Sequence, residues 1–169
     1  MKNKSVSVAS DGIIGTTTYY QFRHDDFIAR NPNEAAPDYY LDYGMKYALR
    51  FRDETSEKLS ICGQEWISEV MINLQILMED RLLQPDGAEF ERNAKALRDF
   101  GFTTHVEAYW NENGGTPLYV LNLSDLIIIL FAPDFRDLIR AESLSQMVTT
   151  MKKLAKHWFF SDKKTIFAP

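Results

Sequence analysis

Residues 60–84, SICGQEWISEVMINLQILMEDRLLQ, decide the fold. Trp66, Val70, Leu74, Leu77 and Met78 recur at helical spacing, and Ile67 and Met71 widen the stripe beyond one face. This pattern predicts a single helix over about 60–84 that is buried along most of its girth. A rod of that kind has to be covered by the remaining chain, so it is expected to be the central axis of the fold. Its far end carries Glu79-Asp80, and one of the two carboxylates must turn inward if Leu74, Leu77 and Met78 do.

Upstream, residues 1–37 are rich in Ser, Thr, Gly, Asn and Pro, with strand character at Val6, Val8 and Thr16 to Phe22. They read as an N-terminal arm, either extended or a short hairpin. Asp38 caps a helix to about Arg52 that places Tyr40, Tyr43, Tyr47 and Phe51 at 3-4-4 spacing, with Gly44 marking close packing or a ring-lined cleft. Residues 53–59 read as a polar connection. Ser60 can cap the central helix, although Gly63 stands where a capping box would have an acid.

Downstream, Pro85-Asp86-Gly87 signals a turn, Asp86 caps the next helix and Gly101 ends it. Thr104 and Glu107 have capping-box spacing, which puts His105 in the first turn of a new helix. The positive potential there favours a neutral imidazole. Residues 111–117, NENGGTP, form a loop without the helix that a phosphate cradle needs. Leu118 to Leu123 reads as a short strand or extended connection, and Ser124 caps a helix over Asp125 to Phe131. Pro133 or Asp134 opens another to about Arg140, and Ser143 with Gln146 opens a last one to about Phe160. The sum is an all-α single globular domain, residues 38–160, of six or seven helices around the central one, with a tail over 161–169.

Composition narrows the function classes. The chain of 169 residues has room for one complete core. A net charge of −5 with pI near 5.2 argues against nucleic-acid binding by phosphate neutralisation. The one basic run, Lys152, Lys153, Lys156 with His157, sits where cations complement a helix dipole. The single Cys62 has no internal disulfide partner and reads as a small core thiol. The N-terminus lacks a Sec signal, and the apolar run Leu126 to Ala132 is far short of the roughly 20 residues a membrane span needs. The expectation is a soluble protein made in the cytoplasm, with export by a leaderless route left open.

Two clusters carry the candidate chemistry. Glu79, held against an apolar wall, has the setting of a general acid; the alternative is a surface pair beside Arg81. Thr104-His105 with Glu107, Tyr109 and Trp110 could present a base or hydrogen-bond donor beside a glycine loop, or be a first-turn His satisfied by its neighbours. The candidate catalytic residues are therefore His105, Glu79 and Glu107, and the candidate substrate-binding residues are Tyr43, Tyr47, Thr104, Tyr109 and Trp110. The tyrosine stripe is either core with phenols at its rim or a sugar-binding platform. His24-Asp25-Asp26 reads as a solvated turn, since no second His stands at ligand spacing. No cofactor motif and no nucleophile elbow is present.

These positions also carry a resemblance. Tyr43-Gly44 with Lys46-Tyr47 and Phe51, Gly63-Gln64 with Trp66, Leu74-Gln75 with Glu79, Phe102 with Thr104-His105, Ala108-Tyr109, Asp125-Leu126 and Pro133-Asp134 together resemble an uncharacterised bacterial family. That family is associated with secretion-system cargo and polymorphic toxins. The likeness spans roughly residues 38–140 and implies a leaderless bacterial effector or a protein from the same neighbourhood, with no catalytic residues to carry over. Two expectations follow: a toxin-like effector, a hydrolase working through His105 and Glu79, or a non-catalytic immunity or adaptor protein that masks a cognate protein partner.

Overall fold

In a computed structural model, residues 5–111 and 115–132 are described, together with Thr149, Lys152, Lys153 and Lys156. The regular elements among them are all helical: α1 Tyr19–Arg30, α2 Lys46–Arg50, α3 Ile61–Leu82, α4 Gly87–Arg92, α5 Ala94–Trp110 and α6 Leu123–Phe131. The expected helix over Pro133 to Arg140, most of the one over Ser143 to Phe160, His157 and the tail lie outside the described residues.

The 22-residue α3 is the axis the sequence called for. Its first half buries Trp66, Ile67 and Val70 against Leu59, Ala108, Leu118, Leu121 and Ile129. Its second half buries Met78 and Leu82 in a separate cluster with Tyr19, Tyr20, Tyr39, Tyr40, Ala48 and Leu97. Because the two clusters lie on different sides of the rod, the buried positions run around the helix rather than along one face. Each large side chain enclosed here stabilises the fold by about 1.5–3 kcal/mol.

Ser60 caps α3 as expected, its Oγ accepting from the Gly63 backbone N–H at 3.2 Å. The acid missing from the capping box comes from 65 residues away. Asp125, in the first turn of α6, accepts the Ser60 N–H at 2.9 Å and the Ser60 hydroxyl at 2.5 Å. Gly63 leaves room for it: a Cβ there would stand 3.0 Å from the Asp125 carboxylate. The α6 cap itself is Asn122, not Ser124, since the Asn122 Oδ1 accepts from the Asp125 N–H at 2.9 Å.

The N-terminal arm is a correction. Tyr19–Arg30 is a helix, burying Tyr19, Tyr20, Arg23 and Phe27. The β-branched threonines that suggested a strand lie in the turns ahead of it. The stripe was hidden because one of its buried positions is an arginine. Residues 53–59 are likewise not a plain connection, because helical winding continues from Tyr39 to Lys58. It is π-helical over Tyr39–Met45 and Phe51–Thr55, α-helical between, and 3-10 over Ser56–Lys58. A spacing of four overshoots a turn of α-helix and undershoots a turn of π-helix, so mixing the two keeps Tyr39, Tyr43 and Tyr47 in one column.

The remaining corrections concern α4 and α5. Asp86 makes no capping bond and is held instead by Arg81; Asn93 caps α5 by accepting from the Ala96 N–H. Helix α5 then runs through Gly101, which does not end it. A Cβ at Gly101 would overlap the Tyr39 ring, and one at Gly44 would overlap the Tyr20 ring. Both glycines therefore serve close approach of helix backbone to a tyrosine. Thr104 and Glu107 start no helix, and Leu118–Val120 is a 3-10 turn rather than a strand.

Candidate functional site

Glu79 does turn inward while Asp80 stays exposed. Its surroundings, however, are donors rather than an apolar wall. Oε1 accepts the Tyr19 hydroxyl at 2.7 Å and the Arg23 Nε at 2.5 Å, with the Arg23 Nη2 paired to the same oxygen. Oε2 accepts the Ala9 backbone N–H at 3.1 Å. One helical turn earlier, the fully buried Gln75 accepts from the Gly15 N–H at 2.7 Å and donates to the Thr16 carbonyl at 2.9 Å. Residues 5–18 have no helix to satisfy their backbone groups, and buried backbone polar groups must be bonded. Gln75 and Glu79 supply that from α3.

A row of charges on α1 extends this cage and was not anticipated from the sequence. Arg23 also donates to the Ser7 carbonyl at 2.8 Å. Asp26 pairs with Arg30 at 2.8 Å, and Arg30 pairs with Glu91 of α4 at 2.5 Å. Glu91, wholly buried, also accepts the Tyr40 hydroxyl at 2.7 Å. Burial pushes the Tyr19 and Tyr40 phenols well above the usual tyrosine range, with the neighbouring carboxylates adding to the rise. Arg23, Asp26 and Arg30 recur at three and four residues, which was the available signal. His24 and Asp25, by contrast, face outward beside them. Among the described residues no group of three His, Cys, Asp or Glu side chains is placed to hold a metal ion.

His105 lies in the second half of α5 rather than in a first turn. Its Nδ1 is 2.6 Å from the Gly101 carbonyl, which can only accept, so Nδ1 carries the proton. The Thr104 hydroxyl donates to that same carbonyl at 2.9 Å. The imidazole packs along Phe102 and edge-on to Tyr109. Burial pushes its pKa below the ordinary histidine value, against the pull of the backbone carbonyls. The neutral state anticipated from the sequence therefore holds for a different reason.

Tyr43 and Tyr47 belong to the core column and present no open platform. Tyr43 meets Tyr47 at 4.7 Å and Phe102 at 4.6 Å, both edge to face. Tyr109 packs on Trp66, which donates to the Tyr109 carbonyl, and burial raises the Tyr109 phenol to about 12. Glu79 and His105 have no bonding partner in common. Of the three candidate catalytic residues, Glu79 and His105 thus sit in separate structural settings.

What the surface offers instead is a groove of about 590 Å³ between α3 and α5. Asp80 and Glu107 project into it, with Ile76, Leu77 and Val106 supplying apolar wall, and Trp110 and Lys153 at one end. The Lys153 ammonium sits 4.8 Å from the centre of the Trp110 ring. Where α5 ends, the groove lining is hydrogen-bonded to α3. Asn111, left-handed at φ 48°, is clamped by Glu69 and Asn73 of α3, each at 2.7 Å. Glu69 also accepts the Thr116 N–H, and a Cβ at Gly115 would strike both the Asn111 amide and Glu69. Of the residues marked in advance, Glu107 and Trp110 reach this groove, whereas Glu79, His105, Tyr43 and Tyr47 do not line it.

No helix among the described residues is long and apolar enough to cross a membrane. No family model, no curated protein and no solved structure matches the chain.

Proposed function

We propose that this chain is a non-catalytic binding protein of the immunity or adaptor type, which masks a surface of a cognate protein through the groove between α3 and α5. One contrast supports this reading. The inward polar groups, Gln75, Glu79 and His105, are all bonded within the chain, while the carboxylates of Asp80 and Glu107 stand exposed on an aliphatic wall. A hydrolase working through His105 and Glu79 needs those two groups at one substrate, and they share no partner. A segment that fits the groove is a basic amphipathic helix, with Lys or Arg opposite Asp80 and Glu107 and an aliphatic side chain against Ile76 and Val106.

The test is site-specific crosslinking in the source cell. A photoreactive residue at Thr103, exposed on the groove lining, should trap one protein through a Lys- or Arg-bearing segment, and Asp80→Lys with Glu107→Lys should abolish the adduct. The same probe at Asp42, which is exposed away from the groove lining, should trap nothing. Equal adducts at both positions, or turnover that vanishes in Glu79→Gln and His105→Ala, would overturn the reading.

A further inference from the structure

The groove between α3 and α5 carries two acids along its length and a cation at one end. Asp80 and Glu107 are the acids, and Lys153 is the one cation among its described lining residues. Lys153 comes from the C-terminal run Met151-Lys152-Lys153-Leu154-Ala155-Lys156, far along the chain from either wall. Thr149, Lys152, Lys153 and Lys156 are helical and exposed, and their i, i+3, i+4, i+7 spacing puts them on one face. One member of that face therefore already stands at the Trp110 end of the groove, its ammonium over the indole ring. In the sequence, Met147, Val148, Met151, Leu154 and Ala155 fall between the lysines at helical spacing. The run is thus a basic amphipathic segment, the chemistry that Asp80, Glu107 and the aliphatic wall of Ile76 and Val106 select.

We infer that the run from Lys152 to Lys156 is a tethered competitor for this groove, an autoinhibitory segment that a partner must displace to reach Asp80 and Glu107. The consequence for binding rests on the groove being the partner surface; the contact within the chain does not. Charge complementarity and tethering select this occupant. A second copy would offer the same lysines, but only at its bulk concentration. A segment of the same chain meets the groove at an effective concentration on the order of millimolar when its linker spans the distance. That span is closed in the structure, because Lys153 lines the groove. Self-occupancy subtracts from the partner's affinity: a groove filled nine-tenths of the time raises the partner's apparent Kd about tenfold. A basic segment that binds no better than the chain's own run is thereby rejected, so the device adds selectivity.

Two measurements on the full chain test this. Zero-length carbodiimide coupling of dilute wild-type protein, mapped by mass spectrometry, should join Lys152, Lys153 or Lys156 to Asp80 or Glu107 within one chain. No such link, or links found only between two chains, would overturn the inference. For competition, the probe is a labelled synthetic peptide of residues 143–160. It should bind the full chain at least about tenfold more tightly once Lys152→Gln, Lys153→Gln and Lys156→Gln are introduced together, at exposed positions where the fold tolerates them. Adding Asp80→Asn with Glu107→Gln should remove that gain. Asp42→Asn with Glu57→Gln, which changes net charge equally at exposed sites outside the groove lining, should leave it in place. Equal affinity for wild type and the triple variant, or a gain that both acid pairs reduce alike, would overturn the inference. A chain that shows both effects yet captures no protein from position 103 keeps the self-contact and loses the binding-protein reading; the reverse result loses the self-contact alone.

Discussion

Glu79 and Asp80 are neighbours on one helix with opposite fates. Glu79 is enclosed by Tyr19, Arg23 and the Ala9 backbone, whereas Asp80 looks into an open groove. The difference shows that an acid buried in an apolar helix is not by itself a sign of chemistry. Here it answers the unmet backbone of a segment that has no secondary structure to satisfy it. The carboxylate exposed at the groove lies one residue further on.

The largest way to break this contrast is to remove the cation from the inward side. Arg23→Met leaves Glu79 buried without its charge partner and should cost about 3–5 kcal/mol in urea unfolding. A loss below about 1 kcal/mol would mean that the cage contributes little. A smaller effect, about 1–3 kcal/mol, is expected for Gly101→Ala, which drives a Cβ into the Tyr39 ring. Combining it with Tyr39→Leu should recover part of the loss, and strict additivity of the two would contradict the contact.

His105 gives a pH-dependent test. Its folded-state pKa lies below the unfolded value of about 6.5, so the unfolded chain takes up the proton first. Its effect on stability should be absent above that pH, appear as a loss when pH falls below it, and level off beneath the folded pKa. The difference between wild type and His105→Gln, followed by unfolding across this range, should show that slope. A difference independent of pH would mean the imidazole is not held neutral. Smallest of all, Asp80→Asn with Glu107→Gln should change stability by no more than about 0.5 kcal/mol while abolishing the proposed crosslink at the groove.

The central helix and its inward acid were legible because a 3.6-residue period survives one polar interruption. Helix α1 was not, since Arg23 and Arg30 occupy inward positions that the apolar pattern leaves blank, and their partners Glu79 and Glu91 lie more than fifty residues away. Gly63 looked like an imperfect capping box because its acid, Asp125, arrives from another helix. Gly101 looked like a helix stop because glycine often is one, and only the Tyr39 ring shows otherwise. The local signal at Ser60 was read correctly, whereas the caps expected at Asp86 and Ser124 and the helix start expected at Thr104 did not form, and the distant partners of Arg23, Gly63 and Gly101 left no local signal.

The most direct measurement is amide hydrogen exchange at Ala9, compared with Val70 in the middle of α3, in Glu79→Ala and in Asp80→Ala. If Glu79 is there to hold the N-terminal backbone, Ala9 should lose protection far more than Val70 in the first variant and keep it in the second. An Ala9 amide that exchanges alike in both variants would contradict the assignment of Glu79 to structure and Asp80 to the groove.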